Sequence, residues 1–462
     1  MGGDFRIEKD SMGEMQVPVS AYYGAQTQRA CENFPISGIR IPRSMISALG
    51  LIKQCAAEAN SEMGFLDKDI MAAIVKACQD VQAGKLDEHF VVDIFQTGSG
   101  TSSNMNANEV ISRRAKEDTE NTKNIHPNDH VNMSQSSNDV IPTSIHIAVA
   151  VELSKKLIPA LSVLEESLKA KQKQYASIVK TGRTHLQDAT PITLGQEFGG
   201  YQRQVAQSIE RIKRSLVTIL ELPLGGTAVG TGLNTPEGFP AKAIAKIAKS
   251  TGLNFFEAVD HFEAQSAKDG LVEMSGQLRT IACSLAKIGN DIRWLGSGPR
   301  CGIGEIQLPS VQPGSSIMPG KVNPVIVESL LMVCAQVIGN DATVHVGGLT
   351  GSIFELNMMM PVMGNAILQS IDLLSASSVN FAKKCIDGIE ANVERLNDLA
   401  EASIAICTAL APKIGYDLAA DLAKEAFKTG KPLRQVAKER KVLPDAELDK
   451  ILDLDSMTRP GL

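Results

Sequence analysis

Hydrophobic residues in the central part of the chain recur alternately three and four residues apart. This spacing places them on one face of an α-helix, and a seam of more than three heptads is typical of helices that pack lengthwise. With a further helical segment at Leu356–Ile386, the pattern predicts about five long helices in a nearly antiparallel bundle. The seams consist of Leu271, Met274, Leu278, Ile281, Leu285, Ile288, Ile292 and Leu295; of Leu153, Leu157, Leu161, Leu164 and Leu168; and of Phe198, Tyr201, Val205, Ile209, Ile212, Leu216 and Ile219.

Shorter patterns flank this predicted bundle. Amphipathic segments at Pro42–Met63 and Leu66–Ala83 precede it, and Gly84 is a candidate C-cap for the second. Residues 5–40 are rich in turn formers and predict a loop with a short hairpin. Beyond Asn392 the helical patterns are short and interrupted by Gly and Pro, which predicts a small helical region. Strand signals are few elsewhere, so the chain is predicted to be mainly all-α.

The apolar faces exceed what one bundle can cover. A five-helix bundle is expected to leave stripes such as that of the Leu271 helix covered on one side only, and oligomerisation would cover the rest. The segment Val325–Ile338 is apolar on nearly every side apart from Glu328. Such a helix is expected to be buried.

Composition narrows the choice of partners. The chain has 462 residues and a net charge of -6, with no run of Lys or Arg. Nucleic acid and anionic membrane surfaces are therefore poor candidates for partners. No stretch is expected to reach the ~20 apolar residues of a membrane span, and the N-terminus lacks an apolar signal region. We expect a soluble, cytoplasmic protein of two or three domains.

Cysteine and histidine spacing gives no sign of a metal. The eight cysteines include no Cys-x-x-Cys pair, the usual arrangement in iron–sulfur and structural zinc sites. His126 and His130 lie four residues apart, but Pro127 favours a turn there over a helix. We therefore expect no metal and no cofactor.

The stretch 314–323 combines two hydroxyls, one ammonium and one amide in a short loop. Gly314 and Gly320 permit unusual backbone angles and let N–H groups approach a ligand, while Pro319 stiffens the turn. Asn323 and Pro324 then have the sequence of a helix start. In isolation such a stretch is more often a surface turn, but a loop of these groups at a helix N-terminus suits an anion.

Three other polar loops occur between or at the starts of helices. The loop at 96–104 has no Gly-Lys-Ser ending, which excludes a phosphate-binding P-loop. Such loops can converge at a bundle end or at a subunit interface. They contribute Ser99 and Thr101; Ser136, Ser137 and Asn138; and Thr184 and His185.

Five motifs, in this order along the chain, resemble the fumarase/aspartase superfamily, and within it the class II fumarate hydratases. The resemblance extends from Glu8 to the C-terminal region. The motifs are His-Pro-Asn-Asp (126–129), Ser-Ser-Asn-Asp (136–139), Gly-Arg-Thr-His-Leu-Gln-Asp-Ala (182–189), Gly-Thr-Ala-Val-Gly-Thr-Gly-Leu-Asn (226–234) and Gly-Ser-Ser-Ile-Met-Pro-Gly-Lys-Val-Asn-Pro (314–324).

The resemblance implies a fold of three mostly helical domains, at 1–136, 137–391 and 392–462, with a long-helix bundle in the second. It implies a homotetramer whose active sites are shared between subunits. It also implies a hydro-lyase of the tricarboxylic acid cycle, which interconverts fumarate and (S)-malate by anti elimination and addition through an aci-carboxylate carbanion.

Site residues carried over from the family fall into two groups. The catalytic set is His185, Ser315, Lys321 and Glu328, and substrate binding is assigned to Ser99, Gly100, Thr101, Ser136, Ser137, Asn138, Thr184, Ser316, Lys321, Val322 and Asn323.

The chemistry explains these residue types. The carbon proton next to a carboxylate is very weakly acidic, so fixed cations and N–H donors must stabilise the charge that develops. By resemblance Ser315 is the base, His185 is the general acid for the departing hydroxyl, and Glu328 pairs with this histidine. A serine is a poor base unless its surroundings favour the alkoxide. The sequence alone leaves open which of Ser315 and His185 takes the carbon proton.

A second anion site is implied by Lys123, His126, Pro127, Asn128 and Asp129, where Lys123 replaces the family's Arg and loses its bidentate geometry. His130 resembles aspartate ammonia-lyase, whereas Ser137 and Gly320 match fumarase. Three hypotheses therefore remain: fumarate hydratase, aspartate ammonia-lyase, and a non-enzymatic structural protein on the same fold.

Overall fold

The described part of the chain begins with a hairpin and a short helix. The computed structural model describes residues 4–120 and 122–461. Strands β1 (Phe5–Asp10) and β2 (Gly13–Pro18) pair antiparallel, which confirms the predicted hairpin. Helix α1 (Ala25–Asn33) follows within the segment that we predicted to be loop.

Four helices of this first region have clear sequence signals. Helices α2 and α3 match the two amphipathic predictions, and the Asp67 carboxylate caps α3 by accepting from the N–H groups of Asp69 and Ile70 at 3.1 Å. Gly84, just beyond α3, has φ +80°, as expected of a glycine that ends a helix. These helices are α2 (Arg43–Glu62), α3 (Lys68–Gln82), α4 (Thr101–Asp118) and α5 (Ser137–Glu152).

The long helices form as the seams predict. Every residue of the seam that starts at Leu271 is buried, as is the seam that starts at Leu153. A turn of π-helix at Leu153–Leu157 continues α5 into α6. The long helices are α6 (Ile158–Gln174), α7 (Leu194–Ile219), α10 (Asp269–Leu295), α11 (Val325–Gly351) and α12 (Met360–Lys384), with the shorter α8 (Phe239–Thr251) and α9 (His261–Ser266) between them.

Helices α10 and α11 each correct one expectation. The Leu271 stripe on α10 is covered within one chain, whereas α11, expected to be buried all round, buries one heptad stripe. Its other faces leave Met332 68% and Leu349 72% exposed. A single chain supplies neighbours on one side of this helix only, so its remaining apolar surface has no cover.

The same helix corrects the expectation that no stretch resembles a membrane span. Within the described residues, α11 is the one helix that is long and apolar enough to cross a membrane, by length and composition. In its most apolar window 33% of the residues are buried in the chain. The apolar segment predicted from the sequence ends at Ile338, whereas the helix extends to Gly351.

The strands are short and pair in twos, in line with the few strand signals. The hairpin β3–β4 was not predicted, since we expected a loop between two long helices there. The pairs are β3 (Val179–Thr184) with β4 (Gln187–Thr193), β5 (Glu221–Leu222) with β6 (Phe256–Glu257), β7 (Ile306–Gln307) with β10 (Glu390–Ala391), and β8 (Ser352–Ile353) with β9 (Leu356–Asn357).

The C-terminal helices enclose a hydrophobic cluster of their own, which includes Ile406, Leu422, Leu433 and Leu448, all fully buried. This agrees with the predicted small helical region. The helices are α13 (Val393–Ala402), α14 (Ala411–Ile414), α15 (Tyr416–Thr429), α16 (Leu433–Glu439) and α17 (Asp445–Ile451).

By contacts the chain divides into two compact units. Unit one comprises Met1–Pro159, Ile209–Ala282 and Cys334–Ser375, and unit two comprises Ala160–Ser208, Cys283–Val333 and Ala376–Leu462. The predicted division into three domains, with boundaries near 136 and 391, stays a prediction.

Candidate active site

Six of the predicted substrate-binding residues lie together in unit one. The hydroxyl of Thr101 lies 2.8 Å from that of Ser99 and 2.7 Å from that of Ser137. Gly100 has φ +74°, and a Cβ there would lie 2.8 Å from Ile141, so the turn into α4 requires glycine. We call this set the hydroxyl cluster: Ser99, Gly100, Thr101, Ser136, Ser137 and Asn138.

A buried carboxylate holds the hydroxyl cluster in place. Ser136 caps α5 in a capping box with Asp139. The carboxylate of Asp139 also accepts from the N–H groups of Gly225 and Thr227, both at 3.0 Å. Burial raises the pKa of Asp139, and the hydrogen bonds oppose that shift. The prediction missed this residue, although the spacing Ser-x-x-Asp at 136–139 signals a capping box.

A buried lysine lies behind the same cluster. The ammonium of Lys53 donates to Asn132 at 2.8 Å. Burial lowers the pKa of Lys53 to about 7, even though the charge of Asp139 opposes that shift. The prediction missed Lys53 as well, because a lone lysine in an amphipathic helix is ordinarily solvent-exposed.

Thr184 and His185 occupy the tip of the β3–β4 hairpin in unit two. Thr184 pairs with Gln187, so His185 and Leu186 form a two-residue turn. Their φ angles are 57° and 61°, as in the type I′ turn that suits a hairpin. Both side chains are exposed, and the imidazole is presented to solvent in one chain.

The 314–323 loop, also in unit two, closes on itself. The Gly314 N–H donates to the Lys321 carbonyl at 2.7 Å, and the Asn323 side chain donates to the Gly314 carbonyl at 2.7 Å. A Cβ on Gly314 would lie 2.6 Å from the Lys321 oxygen, and Gly320 has φ +79°. Both glycines are therefore required by the fold of the loop. Helix α11 begins at Val325, and the Asn323 side chain closes the loop in this structure.

Inside this loop the Ser315 hydroxyl oxygen accepts two backbone hydrogen bonds. The N–H of Ile317 lies at 3.2 Å and that of Met318 at 3.0 Å. Hydrogen bonds to the charged form of a group favour that form. This arrangement can therefore stabilise negative charge on the serine oxygen.

The remaining loop residues face open space. Ser316, Lys321 and Val322 are exposed, and Lys321, Val322 and Asn323 line a cleft of about 950 Å³ with Arg293 and Trp294. Among the described residues, Lys321 forms no ion pair, which leaves its ammonium available to an anion.

The predicted pair of His185 and Glu328 is not formed within one chain. Glu328 is exposed in the first turn of α11. In the described residues no hydrogen bond joins its carboxylate to His185, nor the hairpin tip to the 314–323 loop. The pairing stays a prediction.

The five residues of the predicted second anion site lie in unit one. The His126 ring nitrogen Nδ1 accepts from the N–H groups of Asn128 and Asp129 at 3.3 and 3.2 Å. A turn of π-helix begins at Pro127, so the expectation that no helix starts there is wrong. Lys123 donates to Asp67 and Asp69 at 3.1 and 3.0 Å. Its charge is thus already paired, and the second site stays a prediction.

No group of three or more His, Cys, Asp or Glu side chains is placed to hold a metal ion in the part of the chain that the structure describes. The absence of a cofactor stays a prediction.

Two family models match this sequence. One, described as a lyase, covers residues 13–339, and one, described as the fumarase C C-terminus, covers residues 406–459. Together they span most of the chain, including the hydroxyl cluster and the 314–323 loop.

Whole-length relatives agree. The chain is 52% identical to fumarate hydratase 2 of Arabidopsis thaliana, over 99% of this chain and 92% of the relative. It is also 52% identical to a class II fumarate hydratase of Mycobacterium tuberculosis, over 99% and 96%. A mitochondrial fumarate hydratase of Rattus norvegicus is 52% identical over 99% and 91%.

Solved structures show the same fold. The class II fumarase of Schistosoma mansoni superposes with a TM-score of 0.96 at 39% identity, covering 98% of this chain and 99% of that one. A fumarate lyase:delta crystallin of Brucella melitensis gives a TM-score of 0.95 at 45% identity, covering 99% and 100%. Sequence and fold agree over nearly the full length, and the chain therefore belongs to the class II fumarate hydratases.

Proposed function

We propose that this chain catalyses the reversible hydration of fumarate to (S)-malate. Membership of the class II fumarate hydratases supports the reaction, and the observation that carries the proposal is the environment of Ser315. Its hydroxyl oxygen accepts two backbone N–H groups within a closed loop. A serine placed so can act as a base, because those donors favour its alkoxide.

In the direction of dehydration, Ser315 takes a proton from C3 of malate. The electrons of the broken C–H bond move into the adjacent carboxylate, which becomes an aci-carboxylate dianion. Lys321 and Asn323 hold that carboxylate and stabilise the charge as it develops. One amide hydrogen of Asn323 is already donated to Gly314, so its second hydrogen is the one available to substrate.

The elimination is completed at C2. His185 donates a proton to the departing hydroxyl as a general acid, and water leaves as the double bond forms. The hydroxyl cluster, Thr184, Ser316 and Val322 bind the rest of the dicarboxylate. In the hydration direction His185 activates the water and Ser315 returns the proton to carbon.

The site, we propose, is completed by other copies in a homotetramer. Two observations support this: Glu328 and His185 do not meet within a chain, and α11 leaves Met332 and Leu349 exposed. A second helix of the same kind would cover that surface, as in other symmetric bundles. Copies of the chain are a better cover than lipid, since α11 also carries Asp341, which pairs with Arg279 at 2.8 Å.

Mixing two impaired variants tests the shared site. Ser315→Ala and His185→Asn should each lower kcat by at least about 100-fold when present alone. If the two residues come from different subunits, co-refolding them in equal amounts should restore about a quarter of the wild-type sites. A mixture no more active than its parts would contradict shared sites.

Assembly is tested separately by Met332→Lys, which should split the tetramer in light scattering, because it places a charge on the α11 surface. The matched control is Phe427→Lys on α15, where the native side chain is 80% exposed. It should leave the mass unchanged. Tetramers that form equally well in both variants would rule out the α11 contact.

Substrate choice is tested by following fumarate absorbance in chelator-containing buffer with L-malate and L-aspartate. Fumarate from malate alone is expected. Fumarate from aspartate would identify an ammonia-lyase, and no product from either would favour a structural protein. The residue that suggested an ammonia-lyase, His130, accepts a hydrogen bond from the His126 N–H at 2.8 Å, so local structure accounts for it.

We also propose a cytoplasmic location. The rat relative is named as mitochondrial, so fractionation of the source cells, with antibody detection of the chain, is the deciding measurement.

A further inference from the structure

A carboxylate that is completely shielded from solvent lies beneath the hairpin that carries His185. The Glu305 side chain is 0% exposed. Its Oε1 accepts a hydrogen bond from Arg183 at 2.8 Å, and its Oε2 lies 3.3 Å from the ammonium of Lys180. Lys180 is itself 1% exposed and lies 2.8 Å from Glu197. A buried carboxylate is tolerated only with such compensation.

The two cations lie at different places on the hairpin. Lys180 is near the base of β3, opposite Ile192, whereas Arg183 is opposite Asp188, one residue before Thr184. The register shifts between Thr181 and Arg183. A Cβ on the intervening Gly182 would lie 2.5 Å from the Thr190 oxygen. Glycine at this position therefore permits the irregularity that precedes Arg183.

Glu305 itself is held firmly by its backbone. Its N–H donates to the Leu295 carbonyl at the end of α10, and its carbonyl accepts from Asn392 ahead of α13, both at 2.9 Å. The carboxylate is thus a fixed point in unit two. Arg183 attaches the distal part of the hairpin to this point.

The hairpin tip has little else to fix it. Among the described residues, the only hydrogen bond of His185 beyond the β3–β4 pairing is a long one of 3.5 Å from Gln187 to its carbonyl. The imidazole is exposed and Leu186 is 70% exposed. The orientation of such an exposed two-residue tip is set by the neighbouring residues that have fixed contacts. The nearest such side chain is Arg183, which is hydrogen-bonded to Glu305.

We propose that Arg183 and Glu305 are positioning residues, which hold the hairpin tip so that His185 reaches the departing hydroxyl. The proposal rests on the function proposed above. Lys180 stabilises the buried Glu305 carboxylate at the base of the hairpin. Arg183 binds the same carboxylate and so holds the hairpin tip in one position. Misplacing a catalytic group by about 1 Å can cost about 100-fold in rate.

The test is a double-mutant cycle on the assembled enzyme. Arg183→Met should lower kcat about 10- to 100-fold with KM nearly unchanged, and Arg183→Lys should recover part of the loss. The matched control, Lys213→Met, removes an exposed ion pair of 2.9 Å with Glu210 on α7. It should have wild-type kcat. Circular dichroism and light scattering establish that each variant is folded and assembled.

The double variant distinguishes a role of Arg183 in positioning His185 from a general contribution of Arg183 to the structure. If Arg183 acts through His185, then Arg183→Met combined with His185→Asn should be no slower than His185→Asn alone. Losses that multiply, or wild-type kcat in Arg183→Met, would overturn the proposal. Glu305→Gln, which keeps the side-chain volume, should show the same coupling and decides the matter if Arg183→Met does not fold.

The same set separates this proposal from the proposed function. Full activity in His185→Asn would refute the role of His185 as the acid. A strongly lowered kcat in His185→Asn beside wild-type kcat in Arg183→Met would refute the positioning role alone.

Discussion

Acid sensitivity should be traceable to one histidine, His146, which lies buried on α5. Its Nδ1 is 3.1 Å from the Ile219 carbonyl and 2.8 Å from the Glu221 carbonyl. Carbonyls only accept, so Nδ1 carries the hydrogen. Burial, and to a smaller extent the charge of Lys268, lowers the pKa of His146 to about 4, although the hydrogen bonds to the two carbonyls oppose that shift.

The size of the effect follows from linkage. In the unfolded chain this histidine takes up its proton near pH 6.5, whereas in the folded chain it does so only near pH 4. Stability is therefore lost as pH falls through that window, because the unfolded state binds more protons. At about 1.4 kcal/mol for each pKa unit, the fall from 6.5 to about 4 corresponds to about 3 kcal/mol.

The comparison is between the wild type and His146→Asn, unfolded by urea at one protomer concentration between about pH 7 and about pH 4. The asparagine amide can still donate to a carbonyl but does not titrate. The variant should be less stable at neutral pH, because it is smaller, and should lose about 3 kcal/mol less than wild type on acidification. The carboxylates titrate in both proteins and cancel in the difference. Parallel loss of stability in the two proteins would refute the reasoning.

Three further predictions concern the core and the two anion sites. Ser315→Ala should lower kcat by at least about 100-fold with an unchanged melting temperature, since the side chain is on an exposed loop; normal turnover would remove serine as the base. Leu278→Ala, in the buried α10 seam, should cost about 2–5 kcal/mol of stability in denaturant titrations, whereas the exposed-site variant Phe427→Ala should cost little; equal costs would contradict the packing. Lys123→Arg should tighten binding of a second equivalent of malate in calorimetry, because a planar guanidinium can bind a carboxylate in bidentate fashion; unchanged binding would contradict the geometric argument for this site.

Two kinds of element were predicted well from the sequence. One is a helix with a regular apolar face, and the other is a loop whose hydrogen bonds join residues that are close in the chain. The α10 seam was recognised because apolar residues at heptad spacing have a single favourable placement, against other helices. The 314–323 loop was recognised because its closing bonds, from Gly314 to Lys321 and from Asn323 to Gly314, all lie within ten residues. Both need only local information.

The β3–β4 hairpin was missed for the opposite reason. Lys180 and Arg183 are residues that are ordinarily exposed, and a strand that carries both does not show the usual alternation. Both side chains have Glu305 as a partner, and Glu305 lies 122 residues from Arg183 in sequence. The pattern of apolar and polar residues within the β3–β4 segment gives no information about a partner so distant in sequence.

Helix α11 shows a third case, in which the sequence signal was right and its interpretation incomplete. The segment is apolar on nearly every side, yet one chain covers a single stripe that includes Val327, Leu330, Val337 and Val344. The hydrophobicity of a helix surface indicates that it should be buried, but it does not identify the element that packs against it. Glu328 lies on this same helix, exposed and without His185 within reach of a hydrogen bond. If another copy of the chain packs on the exposed surface of α11, assembly buries Met332 and also brings side chains of that copy close to Glu328. Catalysis and assembly would then be lost together in Met332→Lys, although the substituted residue touches no substrate.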